Sequence, residues 1–176
     1  MITLTFDAGS LLVQGPEDEL SPLLPELAAD PRVGGYRACA CRYQGVRDLL
    51  QHLGREVRDE VPDYAACNWE LKTRLQLRPY QQQAIDAWRG AGRRGLVVLP
   101  TGVGKSIVGV QAVADAGVPA LVVVPTIDLM QQWASLLEKH LGADVGMLGG
   151  GSKDVQDLTV STYDSASMMM EFLGNR

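Results

Sequence analysis

From residue 79 onward the hydrophobic positions fall into two alternating rhythms. "RPYQQQAIDAWRGAG" has helical spacing, with Pro79 at its start and glycines at its end. "GLVVLP" is a short, fully apolar run, which predicts a buried strand over residues 95–100. "KSIVGVQAVADAG" is helical again, "PALVVVP" is a second buried strand, and "IDLMQQWASLLEKHLG" is an amphipathic helix. "VGMLGGG" and "DLTVST" predict third and fourth strands, and "DSASMMMEFLG" a last helix. The triple glycine Gly149 to Gly151 reads as a flexible surface loop. Apolar strands alternating with helices predict an α/β domain: a parallel sheet covered on both faces.

The first part of the chain has period two instead. "ITLTFDAGSLLVQ", residues 2–14, alternates around a Gly-Ser turn and predicts a hairpin. "EDELSPLLPELAADPRVGG" is acidic and broken by three prolines, so it reads as a loop. "YRACACRY" alternates and places Cys39 and Cys41 on one buried strand face, while "VRDLLQHLG" predicts a helix closed by Gly54. With "EVRDEVPDY" these segments form a small α+β module over residues 1–66, followed by the α/β domain over 67–176.

Composition narrows the classes. An apolar content of 46% with 21% charged residues is that of a globular chain. No apolar run reaches the roughly 18 residues of a membrane span. The N-terminus has no basic region before an apolar stretch, so neither a signal peptide nor export is expected. Three cysteines are an odd count without zinc-ligand spacing, which fits a reducing cytoplasm. The formal net charge of -5 is not that of a DNA-coating protein. The excess is local: residues 1–66 hold eleven acids and six arginines, while residues 67–176 carry ten of each sign. Only four basic residues are lysine, a bias shared by high-salt proteins and GC-rich genomes alike.

"LPTGVGKSIV", residues 99–108, announces a chemistry. A strand ending in "TGVGKS" and continuing as a helix is the setting of a phosphate loop. Gly102 and Gly104 let backbone amides turn inward and come close to phosphates. Lys105 neutralises β- and γ-phosphates, and the Ser106 hydroxyl is a magnesium ligand. Leu99 stands where the strict pattern has glycine. Upstream, Gln81 of "LRPYQ" carries the donor–acceptor pair that reads an adenine edge, or is simply an exposed glutamine in a helix start. Thr126, in "VVVPT", and Thr162, in "TVSTYDSA", put hydroxyls at the carboxyl ends of strands, where a nucleic-acid phosphate can be held. Trp88 and Trp133 read as core or boundary residues, and Trp69 as packing near the junction. His52 and His140 read as surface or boundary groups. Met168 to Met170 cannot all face one way.

The order and spacing of "LRPYQ", "LPTGVGKS", "VVVPT…LMQQW" and "VSTYDSA" resemble the adenine-binding motif and motifs I, Ia and Ic of superfamily 2 helicases. The likeness is greatest to the archaeal XPB-like DNA repair helicases, in which "STYDSA" and "LGNR" recur and the first loop position is commonly not glycine. "GGYRACACRY" resembles that family's MutS-like damage-recognition module. The resemblance implies an incomplete RecA-like domain behind a DNA-binding module. It implies ATP and Mg as cofactors, and DNA, with other repair proteins, as partners. Under it Arg78 and Gln81 contact adenine, and Thr101, Gly102, Val103, Gly104, Lys105 and Ser106 hold the phosphates and magnesium. Thr126 and Thr162 line the DNA track. No apolar strand here ends in Asp-Glu, the pair that activates water, so the chain reads as the front part of a helicase that binds nucleotide weakly at best and does not turn it over. The alternatives are a non-hydrolysing DNA-binding protein with a vestigial nucleotide site, and an unrelated phosphate-loop NTPase or kinase.

Overall fold

The computed structural model describes residues 1–62, 66–72 and 75–173. It divides into two compact units, Met1–Asp63 with Ser167–Arg176, and Tyr64–Ala166. Of the "LGNR" segment only Leu173 lies within the described residues.

The first unit is built on a five-stranded sheet. β1 (Ile2–Asp7) and β2 (Ser10–Gln14) form the expected hairpin, closed by Ala8 and Gly9, both at positive φ. That pair of dihedrals matches the right-handed twist of the flanking strands. β3 (Ala28–Asp30), β4 (Gly35–Cys39) and β5 (Val57–Asp59) complete the order β3-β4-β2-β1-β5, antiparallel except for β1 beside β5. The helix α2 (Tyr43–His52) buries Val46 and Leu50, one turn apart, against Ile2, Leu4, Leu11 and Val13. Gly54 follows it at positive φ, as the sequence predicts.

Two expectations fail in this unit. The proline-broken segment is not a plain loop: it contains α1 (Glu17–Leu20), a 3₁₀ turn over Leu24–Glu26, and β3. Apolar residues anchor it, since Leu20 and Leu23 are buried in the core. Cys39 and Cys41 are both exposed, because β4 ends at Cys39 and the chain turns into a 3₁₀ helix over Ala40–Arg42. Strand alternation stops where the strand stops.

Asp30, at the end of β3, is buried and paired. It accepts from Arg32 Nε and Nη2, both at 2.9 Å, and from Arg37 Nε at 2.8 Å. Arg37 also donates to the Asp7 carbonyl and to the Ser10 hydroxyl, so this one guanidinium ties β4 to the hairpin turn.

The second unit has a four-stranded sheet in the order β6-β9-β7-β8. β6 (Ala120–Val124), β9 (Leu158–Thr162) and β7 (Gly146–Gly149) run parallel, and β8 (Ser152–Lys153) returns antiparallel to β7. α3 (Pro79–Gly90), α4 (Lys105–Ala116) and α5 (Ile127–Leu141) occupy the predicted segments. The predicted last helix is broken in two, into α6 (Tyr163–Met168) and α7 (Met170–Leu173), of which α7 belongs to the first unit. The core joins Val110 of α4, Val124, Leu158 and Val160 of the sheet, and Met130, Ala134, Leu137 and Leu141 of α5. The last four recur at i, i+4, i+7 and i+11, the stripe of an amphipathic helix. Trp69 and Trp133 pack on this core, and the Trp69 indole donates to the Val118 carbonyl at 2.9 Å. The glycine run is not a free loop: Gly149 belongs to β7, and Gly150 and Gly151 turn the hairpin into β8.

The predicted strand over 95–100 is absent. These residues join no ladder among the described residues, and Leu96 and Val98 are 87% and 79% exposed. The apolar run has strand composition, but a strand exists only where a neighbour supplies its hydrogen bonds. β6, the terminal strand of the sheet, has no described partner on its other side and leaves Leu121 43% exposed.

The two arginines hold the Asp30 carboxyl well below the usual carboxylate range. A carboxyl with a lowered folded pKa stabilises above its unfolded value near 4, and that contribution is lost as pH falls toward the folded value. The first unit should therefore weaken as pH drops below about 4. Asp30→Asn should be less stable at neutral pH and have a flatter acid limb. Thermal melts from pH 7 to pH 3, followed on the Ile2 and Val13 amide signals, check this.

Candidate phosphate-binding site

α3 begins with Arg78 in extended conformation and Pro79 in the first turn, where a missing N–H costs nothing. Gln81 stands three residues after the cap. Its Oε1 accepts from the Arg78 backbone N–H at 2.9 Å, which satisfies the helix entry. Its Nε2 donates across to α4's approach loop, to Val103 O at 3.0 Å and Gly104 O at 3.2 Å. The side chain is 5% exposed, which corrects the exposed-glutamine alternative. Tyr80 adds a second grip, its hydroxyl donating to Val103 O at 3.0 Å while accepting from Arg78 Nη1 at 3.1 Å.

α3 is braced at its far end too. Arg89 donates through Nε to Asp115 Oδ2 at 2.8 Å, near the end of α4. Gln81 meets the start of α4 and Arg89 meets its end, so the two helices run parallel, side by side. Asp115 is largely covered, which makes this ion pair less screened than an ordinary surface pair.

The loop itself, Thr101 to Ser106, carries Gly102 and Gly104 at φ +78° and +79°. Gly104 is the cap of α4. Its glycine has a second reason: a Cβ there would lie 2.8 Å from Gln81 Nε2. Lys105 opens the helix, and its Nζ donates to Leu99 O and Pro100 O, both at 2.9 Å. Thr101 and Lys105 are exposed, and Ser106 is half-buried. The loop thus offers a left-handed cap, a helix N-terminus whose first amides have no intrahelical partner, one ammonium and the hydroxyls of Thr101 and Ser106. That set fits a polyphosphate. For a magnesium ion the helix start supplies the Ser106 hydroxyl, and no cluster of three or more His, Cys, Asp or Glu exists among the described residues.

Thr126 and Thr162 lie at one edge of the sheet. Their strands are neighbours, with Val124 paired to Thr162, so both follow carboxyl ends. Each hydroxyl already caps a helix start: Thr126 Oγ1 accepts from Leu129 N at 3.3 Å, and Thr162 Oγ1 from Ser165 N at 3.3 Å. Thr126 is exposed, whereas Thr162 is 9% exposed. Beside them the same edge presents Ile127 and Tyr163, which are 45% and 60% exposed, and Gly150, where an added Cβ would come within 3.2 Å of the Ile127 side chain. Sequence reading missed Tyr163, Gly150 and Tyr80, although the "STYDSA" and "RPYQ" segments already contained the two tyrosines. α4 returns to β6 through residues 117–119, so its N-terminus and the phosphate loop belong to this same carboxyl end.

Gly104→Ala should cost about 1–2 kcal/mol for the left-handed backbone alone, and more because it displaces Gln81. Gly102→Ala meets no atom within 4 Å and carries only the backbone cost. Thermal melts should therefore rank wild type above Gly102→Ala, and Gly102→Ala above Gly104→Ala.

Residues 74–174 match the family model of the type III restriction enzyme res subunit, and residues 4–61 that of the xeroderma pigmentosum group B helicase damage recognition domain. The DNA 3'-5' translocase XPB2 of Sulfurisphaera tokodaii is 40% identical over 86% of this chain and 34% of its own length. The putative DNA 3'-5' helicase Rad25 of Haloarcula marismortui is 32% identical over 70% of this chain and 20% of its own. The DNA 3'-5' helicase XPB of Mycobacterium tuberculosis is 40% identical over 50% of this chain and 16% of its own. The chain thus spans about a third or less of the curated relatives it matches. With a res-subunit domain behind an XPB-type damage recognition domain, it belongs to the XPB-like branch of superfamily 2 helicases.

Proposed function

We propose that this chain is the nucleotide-binding and DNA-engaging part of an ATP-dependent DNA helicase or translocase of the repair type. One observation carries the reading: the Thr101–Ser106 loop is held in shape by the helix that bears Arg78 and Gln81. A base-reading segment and a phosphate loop joined by direct hydrogen bonds form one site for a nucleoside triphosphate. ATP would supply the free energy of its γ-phosphate bond, with Mg spreading the phosphate charge.

Lys105 exchanges its two carbonyl partners for phosphate oxygens, and Thr101, Gly102, Val103 and Gly104 offer backbone amides. Ser106 presents its hydroxyl to Mg. Arg78 and Gln81 face the adenine. Thr126 and Thr162 fix the start of their helices at the sheet edge, where exposed amides and hydroxyls meet the DNA backbone. Residues 1–66 engage distorted DNA and residues 67–176 form the motor portion; other repair proteins are the expected partners. The expected place of work is the cytoplasm; separately, no helix among the described residues is long and apolar enough to cross a membrane. Of the described strands, β6 runs into Pro125 and β9 ends in Thr162, so neither offers a carboxylate pair to activate water. The reading therefore gives this chain binding without turnover.

Calorimetric titration with Mg-ATP tests it. Wild type should bind, and Lys105→Ala should bind at least tenfold more weakly, since charge-assisted hydrogen bonds are lost. Phosphate release should stay at background with or without forked DNA. Sustained release by the 176 residues would contradict the division between binding and turnover. Absence of Mg-ATP binding, with forked DNA still bound, would favour the DNA-binding protein with a vestigial nucleotide site.

A further inference from the structure

We propose that Tyr80 is a positioning residue for the phosphate loop, presenting the Gly104 N–H to phosphate by pinning the carbonyl of the same peptide unit. The inference rests on the nucleotide-binding reading above. Val103 O accepts two hydrogen bonds, from Tyr80 Oη at 3.0 Å and Gln81 Nε2 at 3.0 Å, which use both its lone pairs. The peptide is trans, so its C=O and N–H point in opposite directions. A Val103 carbonyl drawn toward α3 therefore aims the Gly104 amide away from α3, into the concave side of the loop.

Tyr80 does this with a hydroxyl that is itself polarised. Arg78 Nη1 donates to Tyr80 Oη at 3.1 Å, so Arg78, Tyr80 and Val103 form a donor chain in which the cation strengthens the last bond. The ring lines a groove of about 470 Å³ with Ala84, Trp88, Leu96 and Val98, which places it without using the hydroxyl. Gln81 is the other half of the grip. Its oxygen is taken by Arg78 N and both amide hydrogens by loop carbonyls. While Gln81 holds the loop it has no donor left for an adenine edge. Tyr80 relieves this conflict: when Gln81 turns to a base, the Tyr80 bond still holds Val103 O and the Gly104 amide keeps its aim.

Tyr80→Phe deletes only the hydroxyl and keeps the ring in its groove. Calorimetry of the whole chain with sodium tripolyphosphate, Mg-ATP and adenosine reads the effect. Tripolyphosphate and Mg-ATP should bind about fivefold more weakly, the worth of one neutral hydrogen bond, with adenosine affinity unchanged. The shift of the Gly104 amide resonance on adding tripolyphosphate should shrink in the variant. Equal tripolyphosphate binding by both proteins overturns the proposal and leaves the nucleotide reading standing. An equal loss for adenosine and tripolyphosphate also overturns it, because a hydroxyl acting on the fold as a whole weakens both. A wild-type chain that binds no tripolyphosphate and no Mg-ATP removes both readings together.

Discussion

The arrangement of the second unit turns on one side-chain amide. Gln81 accepts from the backbone that enters α3 and donates to the two carbonyls that enter α4. A buried amide with three partners is costly to disturb: without it the Arg78 N–H loses its acceptor, while Val103 O keeps Tyr80 and Gly104 O keeps the Ile107 N–H. The contact fixes where α3 starts and how the phosphate loop turns, and it requires a glycine at position 104. Arg89 and Asp115 keep the two helices alongside each other farther on. The loop is thus shaped by its neighbour in space, before any phosphate arrives.

This explains how the loop is held beside a segment that joins no described ladder. The run from Gly95 to Leu99 should position a phosphate loop by lying within a sheet, yet it joins no described ladder. α3 and Lys105 take over that work, the lysine by bridging the carbonyls of Leu99 and Pro100. Both are polar devices that need no strand neighbour. The apolar side chains of Leu96 and Val98 remain exposed.

What was legible in the sequence follows the range of the interactions. Helices α2, α3, α4 and α5 came from their own spacing and their own end residues, such as Pro79 and Gly54, so they were readable locally. Strand β9 was readable as a short β-branched segment, Leu-Thr-Val-Ser-Thr, and β6 as an isolated apolar run. The run over 95–100 has the same composition, but ladder formation depends on a neighbour no local pattern reports. β3 was hidden because its three residues carry no periodicity and are held by Asp30 and Arg37, seven positions apart. Cys39 and Cys41 were misplaced because alternation says nothing about where a strand ends. Of the candidate site, the loop and Lys105 were legible as a motif. The Gln81 grip was half-legible, since a glutamine three residues into a helix is a capping signal. The partner carbonyls, 22 and 23 residues away, were not.

α3 holds the phosphate loop in shape without a ligand. Backbone ¹⁵N relaxation on the nucleotide-free chain measures this at Gly102 and Gly104. Order parameters near those of α4, about 0.85, are the predicted result. Values below about 0.6 at Gly104, with α4 itself rigid, would show a loop that nothing holds, and would contradict the claim.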